Sequence, residues 1–125
     1  MKLVIAYIRH DAFEPIRADL LAKGLPSMSV SDVKGTGRQR GVTEHYRGSS
    51  VTNYLRPKVR LEVGVSDEDA QTVIDTIVTH ARTGNIGDGK IFVLPIEQSI
   101  RIRTGEVGEE TMEKHESPAG APSVD

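Results

Sequence analysis

The sequence predicts an α+β fold with the element order β-α-β-β-α-β plus a short extra strand, the ferredoxin-like split βαβ arrangement. Three observations predict it. Residues 58–65 alternate strictly, with Val59, Leu61, Val63 and Val65 on one face and Lys58, Arg60, Glu62 and Gly64 on the other, as in a half-buried strand. Two segments, near 13–21 and 70–81, repeat apolar residues at the spacing of an amphipathic helix. Short apolar runs at Lys2–Ile8 and 90–94 read as buried strands before the first helix and after the second. This layout sets two helices on one face of an antiparallel sheet. The other face needs cover, which further copies of the chain can supply.

Taken in order, Lys2–Ile8 is bounded by the polar Arg9, His10 and Asp11. Phe13, Ile16, Leu20 and Leu21 then mark a helix of about ten residues, with Pro15 suited to its first turn and Gly24 just past its end. Residues 27–34, with Met28, Val30 and Val33 among polar neighbours, predict the second strand. Residues 35–56 show no sustained apolar period and hold Gly35, Gly37, Gly41 and Gly48. A loop of about twenty residues is uncommon in a compact domain and usually functional or disordered. It becomes an extended hairpin loop if the flanking strands pair.

After the alternating strand, Ser66 and Asp69 form a capping-box-like start, with Asp67 and Glu68 where the helix dipole favours anions. Ala70, Val73, Ile74, Ile77, Val78 and Ala81 give the helix its apolar stripe. A Gly-rich loop at 83–89 precedes the strand at 90–94, and 99–103 reads as the short extra strand. Residues 104–125 are rich in Gly, Glu, Pro and Ser, with Val107, Met112 and Val124 as their larger apolar residues. The expected organisation is one domain over 1–107, with an exposed loop at 36–55 and a flexible acidic tail at 108–125.

The chain's 125 residues are one domain's worth. A monomer this small buries only about two-thirds of its unfolded surface, so oligomerisation would help it. The formal net charge of −2 suggests no nucleic-acid partner, and two Phe, three Tyr and no Trp are too few for an RNA-stacking surface. Positive charge concentrates instead at Arg38, Arg40, Arg47, Arg56, Lys58, Arg60, Lys90, Arg101 and Arg103, ahead of an acidic end, which suits an anionic ligand. With no cysteine, disulfides and thiolate chemistry are excluded. The first apolar run is too short for a signal peptide, and no stretch approaches the roughly 20 apolar residues of a membrane helix. The expectation is a cytoplasmic protein that meets a membrane only through a partner.

Three clusters carry chemistry. Around Gly35, Gly37, Arg38, Arg40 and Gly41, glycines and arginines suit an anion, although a flexible turn with solvated charges has the same composition. The cluster lacks the ending of a Walker loop, and it opens no helix as a Rossmann turn does. Between Thr83 and Lys90, Gly84, Gly87 and Gly89 leave backbone donors uncovered beside an ammonium. That combination cradles phosphate, or else forms a helix cap and hairpin turn. Arg101 and Arg103, on one face of a strand and roughly 6–7 Å apart, can grip a polyphosphate or stand as a solvated edge. His10, His45, His80 and His115 share no metal-ligand spacing, and no catalytic constellation is legible. A small phosphatase on the same fold would need a positioned base that is not evident.

These clusters are recognisable together. Val33-Lys-Gly-Thr-Gly-Arg-Gln-Arg-Gly41, Glu44-His-Tyr-Arg-Gly48, Pro57-Lys58, Thr83-Gly-Asn-Ile-Gly-Asp-Gly-Lys-Ile-Phe92 and Ile100-Arg-Ile-Arg-Thr-Gly-Glu106 resemble the PII nitrogen-regulatory signal proteins in register over roughly residues 1–107. The resemblance implies a homotrimeric regulator, not an enzyme, with ATP and ADP competing for clefts between subunits. It implies nucleotide contacts from Gly87, Asp88, Gly89 and Lys90 of one subunit, from Arg101 and Arg103 of its neighbour, and from Arg38. Ser29, Glu62 and Gly64 fall where the family meets the adenosine, with Gly64 in place of a larger aliphatic residue.

For 2-oxoglutarate the resemblance implies Gly37, Gln39, Gly41, Lys58 and Gly87. Gln39 would complete magnesium coordination with ATP and the oxoacid, and Lys58 would pair with a carboxylate. The tyrosine that many members carry for nucleotidylation is Val51 here, which excludes uridylylation at that position. Ser49 aligns with a serine that some members phosphorylate. The implied partner of residues 36–55 is an ammonium transporter or nitrogen-assimilation protein. The altered loop tip favours, as the alternative, another transporter such as a metal-efflux or inorganic-carbon system.

Overall fold

The computed structural model describes residues 1–36, 42–46, 49–53 and 55–112, with the short segments 42–46 and 49–53 described as backbone. In chain order the elements are β1 (Lys2–Ile8), α1 (His10–Ala22), β2 (Ser29–Gly35), β3 (Val42–Tyr46), β4 (Ser49–Asn53), β5 (Arg56–Val65), α2 (Asp67–Ala81), β6 (Gly89–Pro95) and a 3-10 turn (Gly108–Met112). Four strands form one antiparallel sheet in the order β2-β5-β1-β6. The central strand β1 sets Tyr7 opposite Arg60 on one side and Lys90 on the other.

The alternation read in the sequence decides the layers. Val59, Leu61, Val63 and Val65 of β5 are buried with Val4, Ala6 and Ile8 of β1. They pack with Ile16 and Leu20 of α1 and Val73 and Ile77 of α2. Each large side chain fully buried there stabilises the fold by about 1.5–3 kcal/mol. Thr76, also buried, is satisfied: its hydroxyl donates to the Thr72 carbonyl and accepts from Lys23 Nζ, both at 2.7 Å. The opposite face carries Tyr7, Arg60, Glu62, Gly64, Lys90, Phe92 and Leu94, and there Phe92 and Leu94 remain 48% and 42% exposed.

Several elements differ from expectation. The first helix starts at His10, so Pro15 lies in its second turn, and its missing N–H costs a bond only to the exposed Asp11. The expected capping box at α2 is not closed in the usual way. Ser66 Oγ donates to Asp69 Oδ2 at 3.1 Å, and the Ser66 side chain caps no backbone N–H. The stretch without apolar period contains a two-stranded ladder, with Val42 opposite Asn53 and Tyr46 opposite Ser49. The sequence there has β-branched residues but no apolar alternation, so the ladder has no hydrophobic pattern to announce it.

The extra strand at 99–103 reduces to one bridge between Ile100 and Val107. Beyond it the chain turns: the Gly105 N–H donates to the Arg101 carbonyl, and the Arg101 N–H to the Glu106 carbonyl, both at 2.8 Å. Arg101 and Arg103 therefore do not share a strand face. The tail expected from residue 108 begins as the 3-10 turn, because the Gly108 N–H donates to Ser99 O at 2.9 Å and the Thr111 and Ser99 hydroxyls share a hydrogen bond.

Candidate functional site

Helix α2 ends against the Gly-rich loop 83–89, and one carboxylate organises that loop. Asp88 accepts from the Thr83 hydroxyl, from the Thr83 N–H at 2.7 Å and from the Gly84 N–H at 2.9 Å. Arg9 Nη1, at the junction of β1 and α1, donates to Asp88 at 2.9 Å and to the Ala81 carbonyl at 2.8 Å, while its Nε reaches Asp11 at 2.9 Å. One guanidinium thus ties the end of the helix to the loop. Among the described residues, no protein acceptor takes the N–H groups of Ile86 and Gly87. The loop leaves these donors for a ligand or water.

Two glycines let the chain do this. Gly87 has φ +103° and Gly89 φ +112°, a region that side chains disfavour. At Gly89 a Cβ would also lie 1.8 Å from the Tyr7 carbonyl oxygen. Beside the loop, Lys58 Nζ donates to the Gly87 carbonyl at 2.6 Å, which joins two of the five residues expected to meet the oxoacid. Lys90 follows on the face away from the helices, with its Nζ 5.9 Å from the Phe92 ring centroid. Phe92 meets Tyr7 edge to face at 6.2 Å, and the Arg60 guanidinium lies 5.9 Å from the Tyr7 ring centroid.

The remaining expected contacts lie elsewhere. Ser29 stands opposite Glu62 in the sheet, and Glu62 pairs with Arg60 Nη2 at 3.0 Å. Gly64 and Arg101 line a small cavity with Val63 and Met112. Arg101 Nη1 reaches Glu106 at 3.3 Å, and Arg103 is exposed on the turn. Lys58 and Gly64 are six residues apart on one strand, about 20 Å at the usual rise. One chain therefore holds two separated groups: Lys58, Gly87, Asp88, Gly89 and Lys90 at one end of the sheet, and Gly64 and Arg101 at the other. Gly37, Arg38, Gln39 and Gly41 lie outside the described residues, as does the side chain of Ser49. Among the described residues, no cluster of His, Asp and Glu is arranged for a metal.

Among the described residues, Asp88 has the most displaced titration. The Thr83 hydroxyl bond, helped by the Thr83 and Gly84 N–H groups and the Arg9 charge, outweighs burial and lowers its pKa to about 2. A carboxyl depressed in the folded state stabilises it above the ordinary range near about 4 and loses that contribution as pH falls. The anchorage is therefore complete above about pH 4 and is lost on acidification through about pH 2. A carbon-detected NMR titration of Asp88 is expected to show a midpoint near 2; a midpoint near the ordinary value would contradict this arrangement. Arg9 is the residue that sequence reasoning missed. It belongs to no apolar period and no glycine motif, and only the fold brings it to Asp88.

The profile of the family described as "Nitrogen regulatory protein P-II" matches residues 1–106. The chain belongs to the P-II family. It is 46% identical over 112 residues to "Nitrogen regulatory protein P-II 2" of Methanothermobacter thermautotrophicus, covering 90% of this chain and 97% of that one. It is 47% identical over 112 residues to the "Nitrogen regulatory protein P-II" of Nostoc punctiforme, and 45% to that of Cereibacter sphaeroides, each aligned over its whole length and 90% of this chain. P-II proteins are signal transducers of nitrogen regulation rather than enzymes. No helix among the described residues is long and apolar enough to cross a membrane.

Proposed function

We propose that this P-II protein senses ATP and ADP together with 2-oxoglutarate, in the cytoplasm, and reports the result to a partner through residues 36–55. The observation that carries the ligand reading is the loop 83–89. Its Asp88 is occupied by the loop's own donors and by Arg9, while among the described residues the N–H groups of Ile86 and Gly87 have no protein acceptor; Lys58 bonds the Gly87 carbonyl, and Lys90 follows the loop in sequence. Bare N–H groups with adjacent cations favour a polyphosphate, and a second cation favours an oxoacid next to it. Asp88 acts in this reading by holding the loop. Magnesium would accompany the triphosphate, with Gln39 as its expected protein contact.

The same geometry supports the proposed homotrimer. Gly64 and Arg101 lie at the end of the sheet away from Lys58 and the loop 83–89, which supports a site completed by a neighbouring copy. The open sheet face supports this reading: Phe92 and Leu94 are partly bare, and Arg60 Nε is buried without a hydrogen-bond partner. A neighbour would cover the first two and can satisfy the third.

A homo-oligomer of Lys90→Ala, or of Arg103→Ala, is expected to lose nucleotide binding. Co-expression of the two should regenerate roughly a quarter of the sites, because each intact half then meets its complement in a neighbour. ATP affinities like the parent's in both single variants would contradict the shared site.

The proposed partner is an ammonium transporter or a nitrogen-assimilation protein. One observation favours a second reading. Val51 stands where many relatives carry a modifiable tyrosine, so control by uridylylation there is chemically closed. Another transporter, for metal efflux or inorganic carbon, is the alternative target, and Ser49 is the proposed site of any phosphorylation. Pull-down with the intact chain in ATP, and again in ADP, separates the two.

A further inference from the structure

Gly64 has no side chain, yet the space beside it is filled. A Cβ built there would lie 3.5 Å from both Cε and Sδ of Met112 and 3.7 Å from Cδ1 of Ile96. These are ordinary contact distances, so the thioether stands where the outer atoms of a larger residue at position 64 would stand. Met112 reaches that point because the 3-10 turn is tied down. The Gly108 N–H donates to Ser99 O at 2.9 Å, and the Thr111 hydroxyl bonds to Gly108 O at 2.7 Å and to Ser99 Oγ. The amino terminus adds an ion pair to Glu109 at 3.7 Å. None of these bonds involves Gly64, so the turn holds its place independently of the notch it fills. Met112 and Thr111 also wall the small cavity shared by Gly64, Val63 and Arg101.

We propose that Met112 is a specificity-determining residue of the nucleotide site, supplying from the C-terminal segment the apolar wall for the base that Gly64 does not. This rests on the nucleotide reading above, in which Gly64 and Arg101 face the same ligand. A thioether suits the role, since sulfur is polarisable, packs well against aromatic rings and adapts to an irregular edge. Phosphate contacts belong to other residues, so the effect of Met112 is confined to the base.

The test is calorimetry on the full chain with ATP, GTP and inorganic tripolyphosphate as separate probes. Met112→Ala is expected to weaken ATP about tenfold, to narrow the preference for ATP over GTP, and to leave tripolyphosphate within about twofold. Met112→Leu keeps the wall and should retain most of the ATP affinity. Gly64→Val in the Met112→Ala background restores bulk from the sheet side and should recover most of the loss. Parent-like or tighter ATP binding by Met112→Ala would overturn the proposal while leaving the nucleotide reading intact. A parent protein that binds no ATP would overturn both.

Discussion

Gly89→Ala is expected to destabilise the fold by about 3–5 kcal/mol and to remove nucleotide binding. The residue adopts φ +112°, which alone costs a non-glycine residue about 1–3 kcal/mol. The larger part is steric. A Cβ would sit 1.8 Å from the Tyr7 carbonyl oxygen and 3.0 Å from its carbon, and those atoms belong to the central strand β1. They cannot swing aside as a side chain would, so β6 must shift where it begins its pairing with Ile8. Gly84 is the control: its φ is +90°, but nothing lies within 4 Å of its Cβ position. Gly84→Ala should therefore cost only about 1–2 kcal/mol. Thermal melts are expected to separate the two variants by roughly 10 °C. Equal losses would contradict the close approach.

The second large effect concerns Lys58. Its ammonium is held at the loop through the Gly87 carbonyl. If it offsets the charge of a dianionic oxoacid bound near a triphosphate, Lys58→Ala removes the coupling between the two ligands. Couplings of this kind are about 1–3 kcal/mol, so 2-oxoglutarate should lose roughly 5–150-fold in affinity. ATP binding in the absence of the oxoacid should stay within about threefold of the parent, because the N–H groups and Lys90 remain. A Lys58→Ala protein in which 2-oxoglutarate still tightens ATP by the parent's factor would remove Lys58 from the site.

The parts of the fold that pack on hydrophobic periodicity were legible in the sequence. The alternation of Val59, Leu61, Val63 and Val65 identified the sheet face that meets the helices, and the stripe from Ala70 to Ala81 identified α2. The β3–β4 ladder escaped because the sequence of its strands shows no apolar alternation. The turn after Ile100 escaped because Ile-Arg-Ile-Arg alternates like a strand, yet Gly105, at φ +75°, lets the chain fold back on Arg101. The tail boundary was set by composition, and composition does not register Thr111 and Gly108 closing on Ser99. At the site, glycines and cations advertised the loop at 83–89. Arg9 stayed hidden because its partners Ala81 and Asp88 are far along the chain and meet it only through the packing of β1, α1 and α2.

The decisive measurement is a calorimetric titration of the full chain with ATP and Mg²⁺, with and without 2-oxoglutarate. The account predicts that ATP binds and that each ligand tightens the other by the same factor, as linkage requires. Nucleotide binding indifferent to 2-oxoglutarate would contradict joint sensing and shift weight to the alternative transporter target. The absence of nucleotide binding would contradict the account at its centre.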